Sequence, residues 1–397
     1  MLCQVCEKKT FPILDLGKHP LCDDLIPINS KRVSSNYNIE IQYCDNCFTA
    51  FQKFNLDKTV LFPKTYHYRS RMTGDVLKGM KDLIDSLKFD KKKTITLLDI
   101  GSNDGSLLDI AAKKGFKTIG IEPTDAYKDS IGKSHIIYNN YFDHDIATRI
   151  KEEHGFPSFI TFTNVFAHID NLNSLIESLS ILLGPNTTVV IENHYLGSVI
   201  KRNQFDTFYH EHPRTYSLHS FKKISSRLGL NLSHVSYPSR YGGNIRVHMS
   251  NLPSCNNLEI LLQSDKKDCR NIFSLQNNVS KWIASKKPLI SSLSKKYGPL
   301  PSKAFPGRAA ILYKLLNLDH HHISCAYEKD DSQKNGHFLP GTLIPIKPES
   351  ELLKKDINPN IPIINNAWHI SSEIRQYLKV KGINNPIIDI LENSDFD

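Results

Sequence analysis

The chain has 397 residues, 40% of them hydrophobic and 23% charged, and a formal net charge of +9. That length predicts two or three domains rather than one core, and no apolar run is long enough for a membrane helix, so no membrane partner is expected. The lysines are spread out, without a dense basic block carrying interleaved aromatics, which fits solvated faces or attraction of an anionic substrate and predicts no nucleic-acid partner.

In chain order, the first element is a short, irregular, turn-rich segment holding two Cys-x-x-Cys pairs, Cys3/Cys6 and Cys44/Cys47, separated by 37 residues. Its opening residues show no export pattern, so a cytoplasmic location is expected and the cysteines point to metal rather than disulfides. Each pair puts two thiolates within reach of one tetrahedral ion, and two pairs leave no open position for water, so the expected ion is structural Zn2+. Cys22, inside the insert, reads as an ordinary small side chain. From Asp75, apolar residues at Val76, Met80, Leu83, Ile84 and Leu87 predict an amphipathic helix. Strands are expected at Ile95–Ile100, Thr118–Glu122, Phe159–Thr163 and Thr188–Glu192, with helices at Ser106–Lys114 and Leu172–Leu183, the latter stopped by Gly184 and Pro185. Strands alternating with helices predict a parallel sheet covered on both faces.

Further on, Ile245–Met249 reads as a strand and 256–297 as helical. A second, weaker alternation follows: helix at Ala309–Leu316, loop at 329–336, strands at Leu343–Ile346 and Ile361–Ile364, helix at Ser371–Tyr377. The run His320–His322 reads as a solvated loop rather than a metal site.

The chemistry concentrates in three places. Asp99, Gly101, Ser102, Asn103, Asp104 and Gly105 lie in a turn that follows an apolar strand and opens a helix. Glycine lets backbone approach a nucleotide closely, and the helix start offers free N–H groups. Glu122 ends the next strand, 21 residues after Gly101, where a carboxylate accepts ribose hydroxyls. The glycines do not form the G-x-G-x-x-G of a dinucleotide site; the turn looks like the first motif of class I methyltransferases, whose methyl donor is S-adenosylmethionine. Asn164 and His168 follow the strand at 159–163, at the carboxyl end of the sheet, where ligands bind in open α/β folds. The segment Phe205–His212 packs Asp206, Tyr209, His210, Glu211 and His212 into eight residues.

With these pieces in order, the chain resembles the sugar C-methyltransferase family that acts on nucleotide-linked 4-keto-6-deoxyhexoses. The resemblance rests on the two Cys pairs, 66–70, 99–105, 164–168, 205–212, Gly242–Arg246, Leu339–Ile346 and Trp368, over nearly the full length. It implies an α/β fold: a class I methyltransferase Rossmann-like sheet, an N-terminal zinc-binding module and a C-terminal Rossmann-like α/β domain. The expected segments are 1–72, 73–200 and 201–397. It also implies S-adenosylmethionine on Tyr66, Tyr68, Ser70, Asp99–Gly105, Glu122, Asn164 and His168, and a nucleotide-diphosphate keto-deoxysugar on Glu192, Asn193, Tyr241, Asn244 and Arg246. The family's base, the last histidine of Tyr-x-Glu-His, corresponds to His212, with Tyr209 and Glu211 as its partners.

The implied reaction explains these residue types. A ketone at C4 makes the C3 proton acidic, a neutral histidine suits its removal, and a neighbouring donor stabilises the enolate before carbon attacks the methyl group in line. Methylation at oxygen or nitrogen of a sugar or small metabolite stays open as an alternative, as does the oligomeric state, a monomer included. Three departures bear on the sugar and nucleotide contacts. Tyr241 stands where members often have histidine, Phe305–Ala310 replaces a glycine-richer turn, and 330–337 lacks the usual Asp-Arg-Asn-Pro text.

Overall fold

The structure is a computed structural model, and it describes residues 1–90, 92–354 and 358–396. The N-terminal region contains β1 (Phe11–Pro20), β2 (Ile26–Pro27), β3 (Asn36–Cys44) and β4 (Thr49–Gln52). It is therefore more regular than its turn-rich sequence suggests. Ile13, Leu14 and Leu16 of β1 and Ile39, Ile41 and Tyr43 of β3 turn inward, while Asp15 and Asn38 face out. Two register shifts in β1 interrupt the strict alternation that would have announced a strand.

Next come β5 (Thr96–Ile100), β6 (Lys117–Ile121), β7 (Ile136–Tyr138), β8 (Phe159–Thr163) and β9 (Thr188–His194), then β10 (Arg214–Thr215), β11 (Asn231–Ser236) and β12 (Asn244–Ser250). All but β10 form one seven-stranded sheet in the order β11-β12-β9-β8-β5-β6-β7. Its neighbours are parallel except at β12, which runs antiparallel to both β9 and β11. Counted from β5, the order is 3-2-1-4-5-7-6 with the seventh strand reversed, the topology of class I methyltransferases. The strands are buried on both faces, hence their nearly unbroken apolar runs. The sheet reaches Ser250, past the boundary expected at 200, because the closing β11–β12 hairpin lies beyond the acid-base segment in sequence.

The third region holds β13 (Leu300–Lys303), β14 (Ile323–Glu328), β15 (His337–Phe338), β16 (Ile346–Pro348), β17 (Ile363–Asn365) and β18 (Ile387–Asp389). Five of these form a parallel sheet in the order β16-β14-β13-β17-β18. Ala309–Leu316 is a helix as expected, and helices cover most of 258–297. Of the strand expected at Leu343–Ile346 only Ile346 is in a strand, and Leu343 is exposed. β15 pairs with β2, so the third region also touches the first.

The segment 205–215 lies where all three regions meet. Its start is a 3-10 turn, Phe205–Thr207, whose Phe205 ring packs on Trp282 of the helix Leu275–Tyr297. Its end, β10, is the fourth strand of the N-terminal sheet, paired with β4.

Candidate active site

The four cysteine sulfurs of Cys3, Cys6, Cys44 and Cys47 all lie within 4.8 Å of one another. Sulfurs on one tetrahedral zinc, with Zn–S near 2.3 Å, are roughly 3.8 Å apart, so the set fits that ion. Cys22 is buried elsewhere and does not join it. The cluster is tied to the large sheet's flank: the hydroxyls of Ser217 and Ser220, at the start of the helix Leu218–Arg227, both donate to the Cys47 carbonyl at 3.1 Å. From the same module, Gln52 reaches the acid-base segment. Its backbone N–H donates to the Pro213 carbonyl at 2.9 Å and its side-chain amide to the Tyr209 carbonyl at 3.3 Å.

In the turn after β5, Gly101 and Gly105 both have φ of +76°. A Cβ on Gly101 would sit 2.6 Å from Val165, so the two loops at the sheet's carboxyl edge can approach only without a side chain there. Glu122, almost fully buried, accepts from the N–H of Asn103 (2.9 Å), the N–H of Thr124 (2.9 Å) and the Thr124 hydroxyl (2.5 Å). A carboxylate has about four acceptor positions, so one is left for a ribose hydroxyl. Burial raises its pKa, and the three donors oppose the rise. Asn103 also fixes the loop from the first segment, its Oδ1 accepting from the Ser70 N–H (3.0 Å) and its amide donating to the Tyr68 carbonyl (3.1 Å).

Two of the expected cofactor contacts are used otherwise. Asp104 is fully buried, and its carboxylate accepts from the Arg71 N–H (2.8 Å) and from the Ser106 hydroxyl (2.6 Å), pinning the turn to that loop. Asp99 accepts from the Thr161 hydroxyl of the neighbouring strand at 2.7 Å, and burial pushes its carboxyl up to about 7. Ser102 keeps a buried hydroxyl without a partner.

The acid-base cluster lies beside this turn. His212 is 5% exposed, and its Nδ1 is 2.9 Å from the Thr207 carbonyl. A carbonyl only accepts, so Nδ1 carries the proton and Nε2 keeps its lone pair. Burial, then the neighbouring His168 and His194, hold His212 well below the usual histidine range and therefore neutral. Tyr209, His168 and His194 surround it, with ring centroids at 4.2, 5.0 and 5.2 Å. His168 donates from Nδ1 to the Glu211 carbonyl. The Glu211 carboxyl is pushed well up by burial and then by Asp23, and it accepts from the Tyr66 hydroxyl at 3.3 Å. Asn164, held at φ +56°, accepts from the Asn244 amide at 3.2 Å.

Of the residues expected at the substrate, Glu192, Asn244 and Arg246 share one face of the sheet and Asn193 lies on the other, and they are spent differently. The Glu192 carboxylate takes Arg240 (3.0 Å), Asn244 (3.1 Å) and Arg246 through Nε (2.7 Å) and Nη2 (2.6 Å). That fills its acceptor positions, and Arg246 also donates to the Gly79 carbonyl, so Glu192 and Arg246 form a wall rather than free contacts. Asn193 is 1% exposed and has no partner for either amide atom. Tyr241 adopts φ +53° ahead of two glycines, and its ring is 5.5 Å from that of His194.

Sequence reasoning missed His194, Arg308 and His369. His194 is the last residue of β9, one position beyond the two residues singled out there. Arg308 stands in the Phe305–Ala310 turn, which marked itself only as a departure. It pairs with both oxygens of Asp206, and the Trp368 indole N–H shares that carboxylate at 2.9 Å.

Residues 68–235 match the methyltransferase domain family, and 264–384 match the C-methyltransferase C-terminal domain family. The chain is similar to the C-methyltransferase NovU of Streptomyces niveus, at 25% identity over 252 residues, or 62% of this chain and 59% of NovU. The similarity thus spans less than two thirds of that relative. Among solved structures, an S-adenosylmethionine-dependent methyltransferase from Anabaena variabilis aligns with a TM-score of 0.36 at 16% identity, covering 46% of this chain and 85% of that one. A methyltransferase of that type from Listeria monocytogenes aligns with a TM-score of 0.35 at 13% identity, covering 44% and 99%. Likeness at this level decides nothing by itself; the strand order and the two domain matches do. The protein carries a class I methyltransferase domain followed by a C-methyltransferase C-terminal domain.

Proposed function

We propose that this chain is an S-adenosylmethionine-dependent C-methyltransferase that acts on a nucleotide-linked 4-keto-6-deoxyhexose at C3. The observation that carries the reading is His212: buried, neutral, its Nδ1 proton fixed by the Thr207 carbonyl and its Nε2 free to take a proton. Glu211, whose carboxyl burial pushes well up, and Tyr209 beside the imidazole are the groups that would orient it or donate to the developing enolate oxygen.

S-adenosylmethionine supplies an electrophilic methyl group when bound. Gly101 and Gly105 let the turn close against Val165 and Ser130 and so shape its site, Glu122 accepts from its ribose, and Tyr66, Tyr68, Ser70, Asn164 and His168 line its approach to the cluster. Tyr241, Asn193 and Asn244 face the sugar nucleotide, while Glu192 and Arg246 stiffen the wall behind them. Zn2+ on Cys3, Cys6, Cys44 and Cys47 is structural, holding the module that supplies β4 to the acid-base segment. The working units are 1–72, a core that keeps the hairpin to Ser250, and the rest, in a cytoplasmic protein. Among the described residues, no helix is long and apolar enough to cross a membrane.

The test is product analysis with S-adenosylmethionine and a 4-keto-6-deoxy sugar nucleotide deuterated at C3. The expected result is S-adenosylhomocysteine and a C-methylated sugar that has lost the deuterium. Methylation with the deuterium retained would rule out C3 as the acceptor, and the product's structure would show whether the methyl group is on oxygen, nitrogen or C5.

A further inference from the structure

One side chain, anchored on Asp206 one residue before Thr207, is left half used by its immediate contacts. Arg308 is 8% exposed. Its Nε and Nη2 grip the two Asp206 oxygens at 2.8 and 2.7 Å, and Nη2 also meets Gln204 Oε1 at 3.2 Å. The guanidinium lies 5.2 Å from the centre of the Trp368 ring. Its Nη1, with two N–H groups, has no partner among the described residues. A buried donor without an acceptor is costly, more so when it is charged, so a free guanidinium edge is expensive unless something occupies it.

Its place in the fold says what that something is. Asp206, its anchor, is next to Thr207, whose carbonyl fixes the proton on His212. The turn Trp368–Ile370 packs against Arg240–Gly242, and the Tyr241 ring of that turn lies against His194, which lies against His212. His194 and His369 each have a buried Nδ1 without a partner. Both are held below the usual histidine range by burial and then by the charge of Arg308, so they are neutral. The orphaned imidazole nitrogens of His194 and His369 therefore both lie in the field of Arg308, and that of His194 also in the field of Arg240.

We propose that Arg308 is a substrate-contacting residue: its free Nη1 edge holds the sugar oxygen that becomes negative when His212 removes the adjacent proton. The inference rests on the proposed reaction. In that step the C3–H bond breaks and its proton passes to His212 Nε2. The bonding pair becomes the C3–C4 double bond, and the carbonyl π pair moves to O4. Charge thus appears on an oxygen, and a guanidinium is the donor best suited to it. It stays ionised, and Asp206 holds it in place before the charge develops. The third region would then contribute to the chemistry directly, not only by covering the site.

The experiment measures exchange of the C3 proton into heavy water by a 4-keto-6-deoxy sugar nucleotide, without methyl donor, in the full-length protein. Arg308→Ala is expected to slow exchange about 10²–10³-fold, mainly in the rate at saturation, as loss of an oxyanion donor does. Millimolar guanidinium ion should restore part of it, which a purely structural role would not allow. Arg308→Gln, which keeps a hydrogen bond to Asp206 and removes the charge, should show the same loss and serves if the alanine variant does not fold. Trp368→Phe loosens the clamp while leaving the guanidinium, and should cost far less. Wild-type exchange in either Arg308 variant overturns the proposal, and so does an equal loss in Trp368→Phe. A wild-type protein that exchanges nothing brings down the proposed reaction itself.

Discussion

In the larger sheet, β5 turns through Gly101 and Gly105 into a helix, and Glu122 at the end of β6 accepts the N–H of Asn103 from that turn. In the five-stranded sheet, β13 turns through 304–308 into the helix Ala309–Leu316, and Glu328 at the end of β14 accepts the N–H of Phe305 from the corresponding turn. Both sheets run 3-2-1-4-5 from their first strand, with the crevice between strands 1 and 4 where such folds bind ligands. The turns differ. The first has glycines at both bends, and the second has Phe305, fully buried, with Lys334 donating to its carbonyl at 2.8 Å. Topology supplies the same crevice twice, and the turns that border it carry different side chains. In the third region, Arg308 and Trp368 reach the acid-base segment through Asp206.

The contrast can be probed by exchanging what fills each turn. The largest effect is expected for Phe305→Ala, which removes a fully buried ring and should cost about 3–5 kcal/mol of stability by denaturant unfolding. It should leave S-adenosylhomocysteine affinity intact if the protein is held folded. A gain of a second nucleotide site would mean that Phe305 alone closes the crevice. Next comes Glu122→Ala: under the proposed function it removes a charge-assisted hydrogen bond to the ribose worth about 1.5–3 kcal/mol, so calorimetry should show affinity falling roughly ten- to a hundredfold. Glu328→Ala should not change that affinity; equal losses would mean that the two sheets do not divide the work as described.

The smallest effect concerns pH. Burial and the neighbouring imidazoles hold His212 well below 6.5, so its free base persists on acidification and the exchange rate should stay flat through pH 6.5. An acid limb centred near 6.5 would indicate a solvated histidine. The sign for stability follows from the same shift. Below about pH 6.5 the unfolded chain takes up a proton that folded His212 refuses, so acid favours unfolding.

Much of this was legible in the sequence because it rests on local pattern. The apolar runs at 95–100, 159–163 and 188–192, and the cysteine spacing, specify strands and knuckles without help from distant residues. What depends on distant partners was not legible. β1 is interrupted by bulges, and β10 is two residues long and exists only because β4 lies beside it. Glu192 looked available until Arg240 and Arg246 were seen to use it, and Arg308 acquires its meaning from Asp206, 102 positions earlier in the chain. Asp104 sits in the right turn but faces Arg71, a direction that sequence spacing does not encode.

The central claim, that His212 is the base, is tested most directly by following the C3 proton of a 4-keto-6-deoxy sugar nucleotide in heavy water with wild-type protein and with His212→Ala. Exchange is expected of the wild type and a loss of about 10²–10⁴-fold in the variant, with S-adenosylhomocysteine binding unchanged. Exchange by His212→Ala at the wild-type rate would contradict it.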